Sequence, residues 1–277
     1  MAGYQQMKLV VCGCSWSSRD ETVPDTEFGS LVAKHYNLDY INLATVGASN
    51  FVIRNQIDYA INKLNADLVI VNWTTPCRIE WQYNDIEFDP TLSIENFDYT
   101  INPHNPLNRK PIVDCDPGFA FNSITTILDE NTWDEWITST MGEQGLPVTQ
   151  EQFNSFKKYY LYWYDTRVEL AKQIHYIKSA IYDFDKSDTL YLNGLNTLFF
   201  LQDQNLNYPE WKSLCNFIPD DNRIKGVAEM LQIHDKEMKG YIEYSDNPGC
   251  NLTYHISPDA QEYYFNNYIK PKLDNLL

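Results

Sequence analysis

"VVCGCSWSS", Val10 to Ser18, reads as a buried strand that ends abruptly. Val10, Val11 and Cys12 are apolar, Gly13 interrupts the run, and Ser15, an indole and two more hydroxyls follow soon after. A short apolar run without polar alternation is the pattern of a strand covered on both faces. Lys8–Cys12, Tyr40–Leu43, Asp67–Trp73 ("DLVIVNW") and Thr189–Leu192 all share it. The turn after Gly13 has two readings: it presents Ser15 as a nucleophile, or its serines cap the next helix.

Helical periods lie between these runs. Phe28, Leu31, Val32 and Tyr36 recur at i, i+3, i+4 and i+8. Ile53, Ile57, Ala60, Ile61 and Leu64 form an apolar stripe behind Asn50, which is placed to cap it. The longest helix is expected over about Glu151 to Tyr182, with Phe153, Phe156, Tyr160, Trp163, Leu170, Ile174, Ile177 and Ile181 on one side. "HISPDAQEYYFNNYIKPKL" signals a last helix. Ser257 is its N-cap, Pro258 its first residue, and Ala260, Tyr263, Tyr264 and Tyr268 face inward. Strand alternating with helix predicts an α/β fold, a mostly parallel sheet with helices on both faces.

The stretch from about 82 to 150, rich in Asn, Asp and Pro, breaks this rhythm. It has too few periodic apolar residues for a core of its own. The expectation is therefore one domain over 1–277, with a long irregular or helical insertion at 82–150 and a second irregular segment at 202–240. The 277 residues, 43% of them hydrophobic and 14% aromatic, suffice for a substantial core.

Lysine and arginine number 21 against 38 acids, a formal charge of −17. That balance argues against a nucleic-acid or anionic-membrane partner. No run approaches the roughly 18 apolar residues of a membrane span, and the N-terminal stretch reads as a strand rather than a signal-peptide core. The expected location is accordingly cytoplasmic. Six cysteines (Cys12, Cys14, Cys77, Cys115, Cys215 and Cys250) lack paired C-x-x-C spacing, so no metal site is expected and the thiols read as buried and reduced.

Ligands of parallel α/β sheets sit beyond the carboxyl ends of the strands. Ser15 follows the first strand, Gly47 the second ("NLATVGASN") and Asn72 to Thr75 the third ("VNWTTPCR"), while His255 precedes the last helix. A serine, backbone amides and a histidine at one edge are the parts of acyl transfer. The imidazole takes the proton of a weakly nucleophilic hydroxyl, and donors aimed at the developing oxyanion stabilise the tetrahedral intermediate.

In these blocks the chain resembles the SGNH, or GDSL-like, hydrolase superfamily. Gly13-Cys14-Ser15 stands where that family has G-D-S, Gly47 matches its lone glycine after strand two, and His255-Ile256-Ser257-Pro258 is similar to its closing H-P-S-P run. The resemblance covers about residues 8–80 and 165–277. It implies a three-layer α/β/α sandwich around a five-stranded, flavodoxin-like parallel sheet, a Ser15 nucleophile and a His255 general base. It also implies an oxyanion hole from Ser15, Gly47 and Thr74, with no cofactor. The expected activity is that of an esterase or O-acetyl hydrolase, and the substrate a small-molecule or carbohydrate ester. Trp16, Trp73 and Arg78 are the candidate substrate contacts. Degenerate motifs with a long insertion resemble the versions carried by tailed bacteriophages, which implies a virion-associated location as the alternative.

Three positions depart from the family. Cys14 replaces the aspartate before the serine. Thr74 stands where a side-chain amide is usual, unless Asn72 turns inward. Leu252 occupies the place of the aspartate that orients the histidine. Asp246, or a backbone carbonyl, is left to orient His255. The competing reading is a binding or structural protein that keeps the fold without the chemistry. Oligomeric state is open.

Overall fold

The computed structural model describes residues 6–14, 16–18, 25–45, 48–74, 78–82, 121–125, 158, 162–163, 166–195, 217–227, 230 and 257–277, with backbone alone at 78–82, 121–125 and 166–167. Lys8–Gly13 forms strand β1, and its side chains alternate between two cores. Val10 and Cys12 enter one, Leu9 and Val11 the other. That period of two is what a strand buried on both faces produces. Helix α1 (Phe28–Tyr36), β2 (Asp39–Asn42), α2 (Asn50–Asn62) and β3 (Leu68–Asn72) follow. Val69 and Val71 of β3 join the core of Val10, whereas Leu68 and Ile70 join that of Leu9.

β1 pairs in parallel with β2 on one side and with β3 on the other. The chain thus steps one way from β1 to β2 and back past β1 to reach β3. A crossover between parallel strands is right-handed, so reversing direction moves the connecting helix to the opposite face. This is observed: α1 packs its Phe28 and Val32 into the Leu9 core, α2 its Ile53 and Ile57 into the Val10 core. The next step continues in the second direction. Helix α3 (Thr166–Ser187) therefore lies on the α2 face, and β6 (Leu190–Leu195) pairs in parallel with β3. Arg54 of α2 ties the two helices together through an ion pair with Asp183 and a 2.8 Å bond to Ser179 Oγ.

The sheet closes with β7 (Arg223–Lys225), giving the order β2-β1-β3-β6-β7, all parallel. This strand lies inside the 202–240 stretch expected to be irregular. At three residues it is too short to carry a readable period. A separate two-stranded antiparallel sheet joins β4 (Arg78–Gln82) to β5 (Phe121–Thr125). β5 falls within 82–150, most of which lies outside the described residues. The chain is thus an α/β protein built on a five-stranded parallel sheet.

The chain ends in a continuous helical rod, α4 (Pro258–Tyr264), a π-helical turn (Phe265–Ile269) and α5 (Lys270–Leu276). Ser257 is the N-cap as expected, its hydroxyl accepting from Ala260 N–H at 3.3 Å. The wide turn has a local cause. Pro271 has no N–H, and its ring would crowd the carbonyl four residues back. The turn before it widens, so that Lys270 N–H reaches back five residues to Phe265 O.

Two helical expectations are corrected. The N-cap of α2 is Ser49, whose Oγ accepts from Val52 N–H, and Asn50 is the first helical residue. Trp163, expected inside, is 78% exposed, whereas Leu170, Ile174, Ile177 and Ile181 are buried. The inward stripe of α3 is therefore followed only within Thr166–Ser187. Phe153, Phe156 and Tyr160 lie outside the described residues. Among the described residues, no helix is long and apolar enough to cross a membrane.

Candidate active site at the carboxyl edge of the sheet

The strand order reverses at β1, so the connections leaving β1 and β3 diverge to opposite faces beyond the two strand ends. Such switch points are where open α/β sheets bind ligands. Gly13 and Asn72 are the last register partners of β1 and β3 at this point. Gly13 has a steric reason to be glycine. A Cβ there would lie 2.8 Å from Ser17 Oγ and 3.2 Å from Asn72 O.

Side-chain amides stitch the edge together. Gln56 of α2 is fully buried; its Oε1 accepts from Gly13 N–H at 2.8 Å, and its Nε2 donates to Gly13 O and to Thr45 Oγ1, both at 3.3 Å. Asn50, one turn and a half earlier, holds the chain just beyond β3. Its Nδ2 donates to Thr74 O at 3.0 Å, and its Oδ1 accepts from Thr74 N–H at 2.8 Å. Asn42, at the end of β2, donates to Ser17 O at 2.9 Å and accepts from Ala44 N–H. Each amide replaces ladder bonds that a strand end would otherwise leave unmade.

The first loop folds back at once, with Ser17 N–H donating to Cys14 O at 2.9 Å. Ser15 lies between these residues in the chain and outside the described residues. Ala48 N–H donates to Thr45 O at 3.1 Å, bracketing Gly47, which also lies outside them. His255, Leu252 and Asp246 lie outside them too. Trp16 is half-buried and packs against both cores, so its ring straddles the end of the sheet. Thr74 is buried, 2% exposed. Trp73 is fully buried in the α2–α3 core and donates its Nε1–H to Asn193 Oδ1 at 2.9 Å. Arg78 begins β4, of which the backbone alone is described.

Asn72 turns its side chain to the α1–α4 face. Its Oδ1 lies 3.1 Å from the Tyr264 hydroxyl and accepts from Val227 N–H at 3.3 Å, while its Nδ2 has no hydrogen-bond partner among the described residues. An unpaired buried amide donor is costly unless something meets it. Cys12 and Cys14 are free, buried thiols, and burial pushes the Cys12 thiol far above its ordinary range. Among the described residues no group of three or more His, Cys, Asp or Glu side chains is placed to hold a metal ion.

The last helix enters at this same edge. Gln261 Oε1 accepts from Phe28 N–H at 2.9 Å, so α4 starts beside the start of α1. Tyr36, at the far end of α1, donates to Asp274 Oδ1 at 2.6 Å. The two helical rods therefore run parallel. Because α1 connects two parallel strands, it begins where β1 ends. Ser257, the cap of α4, is thereby brought to the carboxyl edge.

Gln56 and Asn50 were not read as site residues from the sequence. Gln56 carried a usable signal, since it is a polar side chain at i+3 from Ile53, inside an apolar stripe. Asn50 was hidden because an asparagine ahead of such a stripe reads as a cap. No family model matches the chain, and no curated protein matches it.

Proposed function

We propose that the chain is a serine esterase of the SGNH kind, acting on an ester of a small molecule or carbohydrate, with O-acetylated sugar the favoured class. The supporting observation is the parallel lie of α1 and α4, pinned by Phe28 and Gln261. It puts the helix that follows His255 in the chain at the edge where β1 runs into Cys14 and Trp16. A five-stranded parallel sheet with helices on both faces is compatible with the three-layer sandwich that the resemblance implies, and the reading takes 82–150 as its insertion.

In this reading Ser15 Oγ attacks the ester carbonyl, and His255 takes its proton and returns it to the leaving alcohol. Water then hydrolyses the acyl-enzyme by the same route. The Ser15 and Gly47 amides hold the oxyanion. The third donor comes from the end of β3, either the Thr74 hydroxyl or the Asn72 amide. No cofactor takes part.

Leu252, standing where the family has its orienting aspartate, favours a second reading: a binding or structural protein with an inactive site. p-Nitrophenyl acetate decides between them. Wild type hydrolyses it above background, Ser15→Ala does not, and a fluorophosphonate labels Ser15. Equal background rates in both proteins would end the esterase reading.

A further inference from the structure

The exit of β1 is unusual in how it is held. β2 stops pairing with β1 at Val11, opposite Asn42, so the β2-facing side of Gly13 has no strand beside it. Thr45 N–H reaches Gly13 O at 3.2 Å, but the Gly13 N–H is taken by a side chain, Gln56 Oε1, at 2.8 Å. The same amide returns a bond to Gly13 O and a third to Thr45 Oγ1. One side chain of α2 therefore extends the ladder by one residue where the strand has run out. It also joins the loop after β1, which carries Ser15, to the loop after β2, which carries Gly47.

Gln56 is fully buried, and its neighbours on the α2 stripe, Ile53 and Ile57, are core residues. A buried amide is expensive to place in an apolar stripe unless all its bonds are made. Here the acceptor and donor are both used, and both are used on backbone or hydroxyl groups of the two loops. Packing alone calls for leucine at this position.

We propose that Gln56 is a positioning residue. Through Gly13 and Thr45 it sets the spacing between the loop carrying the Ser15 hydroxyl and the loop carrying the Gly47 amide. This rests on the esterase reading above. Gln56 touches no substrate and acts through the two loops. Displacing a nucleophile from its oxyanion donors by about 1 Å lowers turnover on the order of 10²-fold, with little change in ground-state binding.

The test uses the full chain with p-nitrophenyl acetate and a fluorophosphonate. Gln56→Leu keeps bulk and removes all three bonds; its kcat and its labelling rate should fall about 100-fold while KM stays within about twofold. Gln56→Glu keeps the acceptor for Gly13 N–H and recovers part of kcat. Ile57→Val, on the same helix and in the same core, controls for stability. It lowers the melting temperature and leaves kcat unchanged.

An active wild type with Gln56→Leu at wild-type kcat, or with kcat falling equally in Ile57→Val, overturns the positioning role alone. If Gln56→Leu does not fold, Gln56→Glu with wild-type kcat overturns it as well. A wild type that neither hydrolyses nor labels overturns the esterase reading and this role with it.

Discussion

Phe28 and Gln261, 233 positions apart, meet in a single 2.9 Å hydrogen bond between a backbone N–H at the start of α1 and a buried side-chain oxygen of α4. Phe28 heads its helix, so its N–H has no intrahelical acceptor. Glu27, the N-cap, makes no side-chain capping bond. Gln261 supplies the missing acceptor from another helix, and in doing so fixes where the C-terminal rod starts relative to the edge of the sheet.

Gln261→Leu should therefore leave a buried donor unmet and destabilise the protein by about 1–3 kcal/mol. Urea unfolding measures it through the midpoint at unchanged slope. A shift equivalent to less than roughly 0.5 kcal/mol, the range of ordinary surface substitutions, would show that this contact does not anchor the rod.

Asn50→Ala removes both bonds to Thr74 and strands a buried N–H and C=O just past β3. The expected loss is again about 1–3 kcal/mol. Asn50→Asp keeps the acceptor for Thr74 N–H but sets an anion against Thr74 O, so it should not restore full stability. If Asn50→Ala unfolds at the wild-type midpoint, the chain beyond β3 is held by other groups.

Gly194 is the register partner of Asn72 on β6. A Cβ there would overlap Asn72 Oδ1 and lie 2.9 Å from Val71 O. Gly194→Ala should cost about 1–3 kcal/mol by overpacking, since the backbone carbonyl has no room to retreat. It also dislodges Asn72 from Tyr264 and Val227. Asn72→Ala in the same background should then add little further loss, and strictly additive losses in the double-mutant cycle would show the two sites are uncoupled.

Asp274 sits below its ordinary carboxylate value of 3.8, held first by the Lys270 hydrogen bond, then by that of Tyr36, with the charges of Lys270 and His35 helping. Its folded pKa is depressed, so its contribution is present above 3.8 and is lost as pH falls through the lower folded value. Tyr36 works from the alkaline side. Burial first, then the bond and charge of Asp274, push its hydroxyl above the ordinary 10, so its contribution is present below 10 and fades as pH rises through the higher folded value. Asp274→Asn should thus unfold with a shallower dependence on pH below 3.8 than wild type. Matching acid limbs in the two proteins would remove this carboxylate from the account.

Local periodicity made most of the elements legible from the chain alone. The apolar runs at Val10, Ile41 and Val69 became β1, β2 and β3, and the Phe28 and Ile53 stripes became α1 and α2, because a strand or helix buried along its length writes its period into adjacent residues. Ser257 and Pro258 announced α4 for the same reason. Ser15, Gly47 and His255 could be named from their order relative to those strands, and they lie outside the described residues. Thr74, also named, is placed, and what holds it is Asn50, taken from the sequence for a cap.

Other features belong to the assembled molecule. β7 is three residues long and exists as a strand only because β6 offers it an open ladder. The burial of Trp73, which the chain presented as a pocket wall, follows from which way β3 faces once α2 and α3 share one side. Gln56 looks like an error in an apolar stripe until β2 ends short and leaves the last residue of β1 without a β2 partner for its N–H. Periods are properties of neighbours in the chain, whereas a hydrogen bond between Gly13 and Gln56 depends on where two elements come to rest, and that is decided by handedness and packing across the whole sheet.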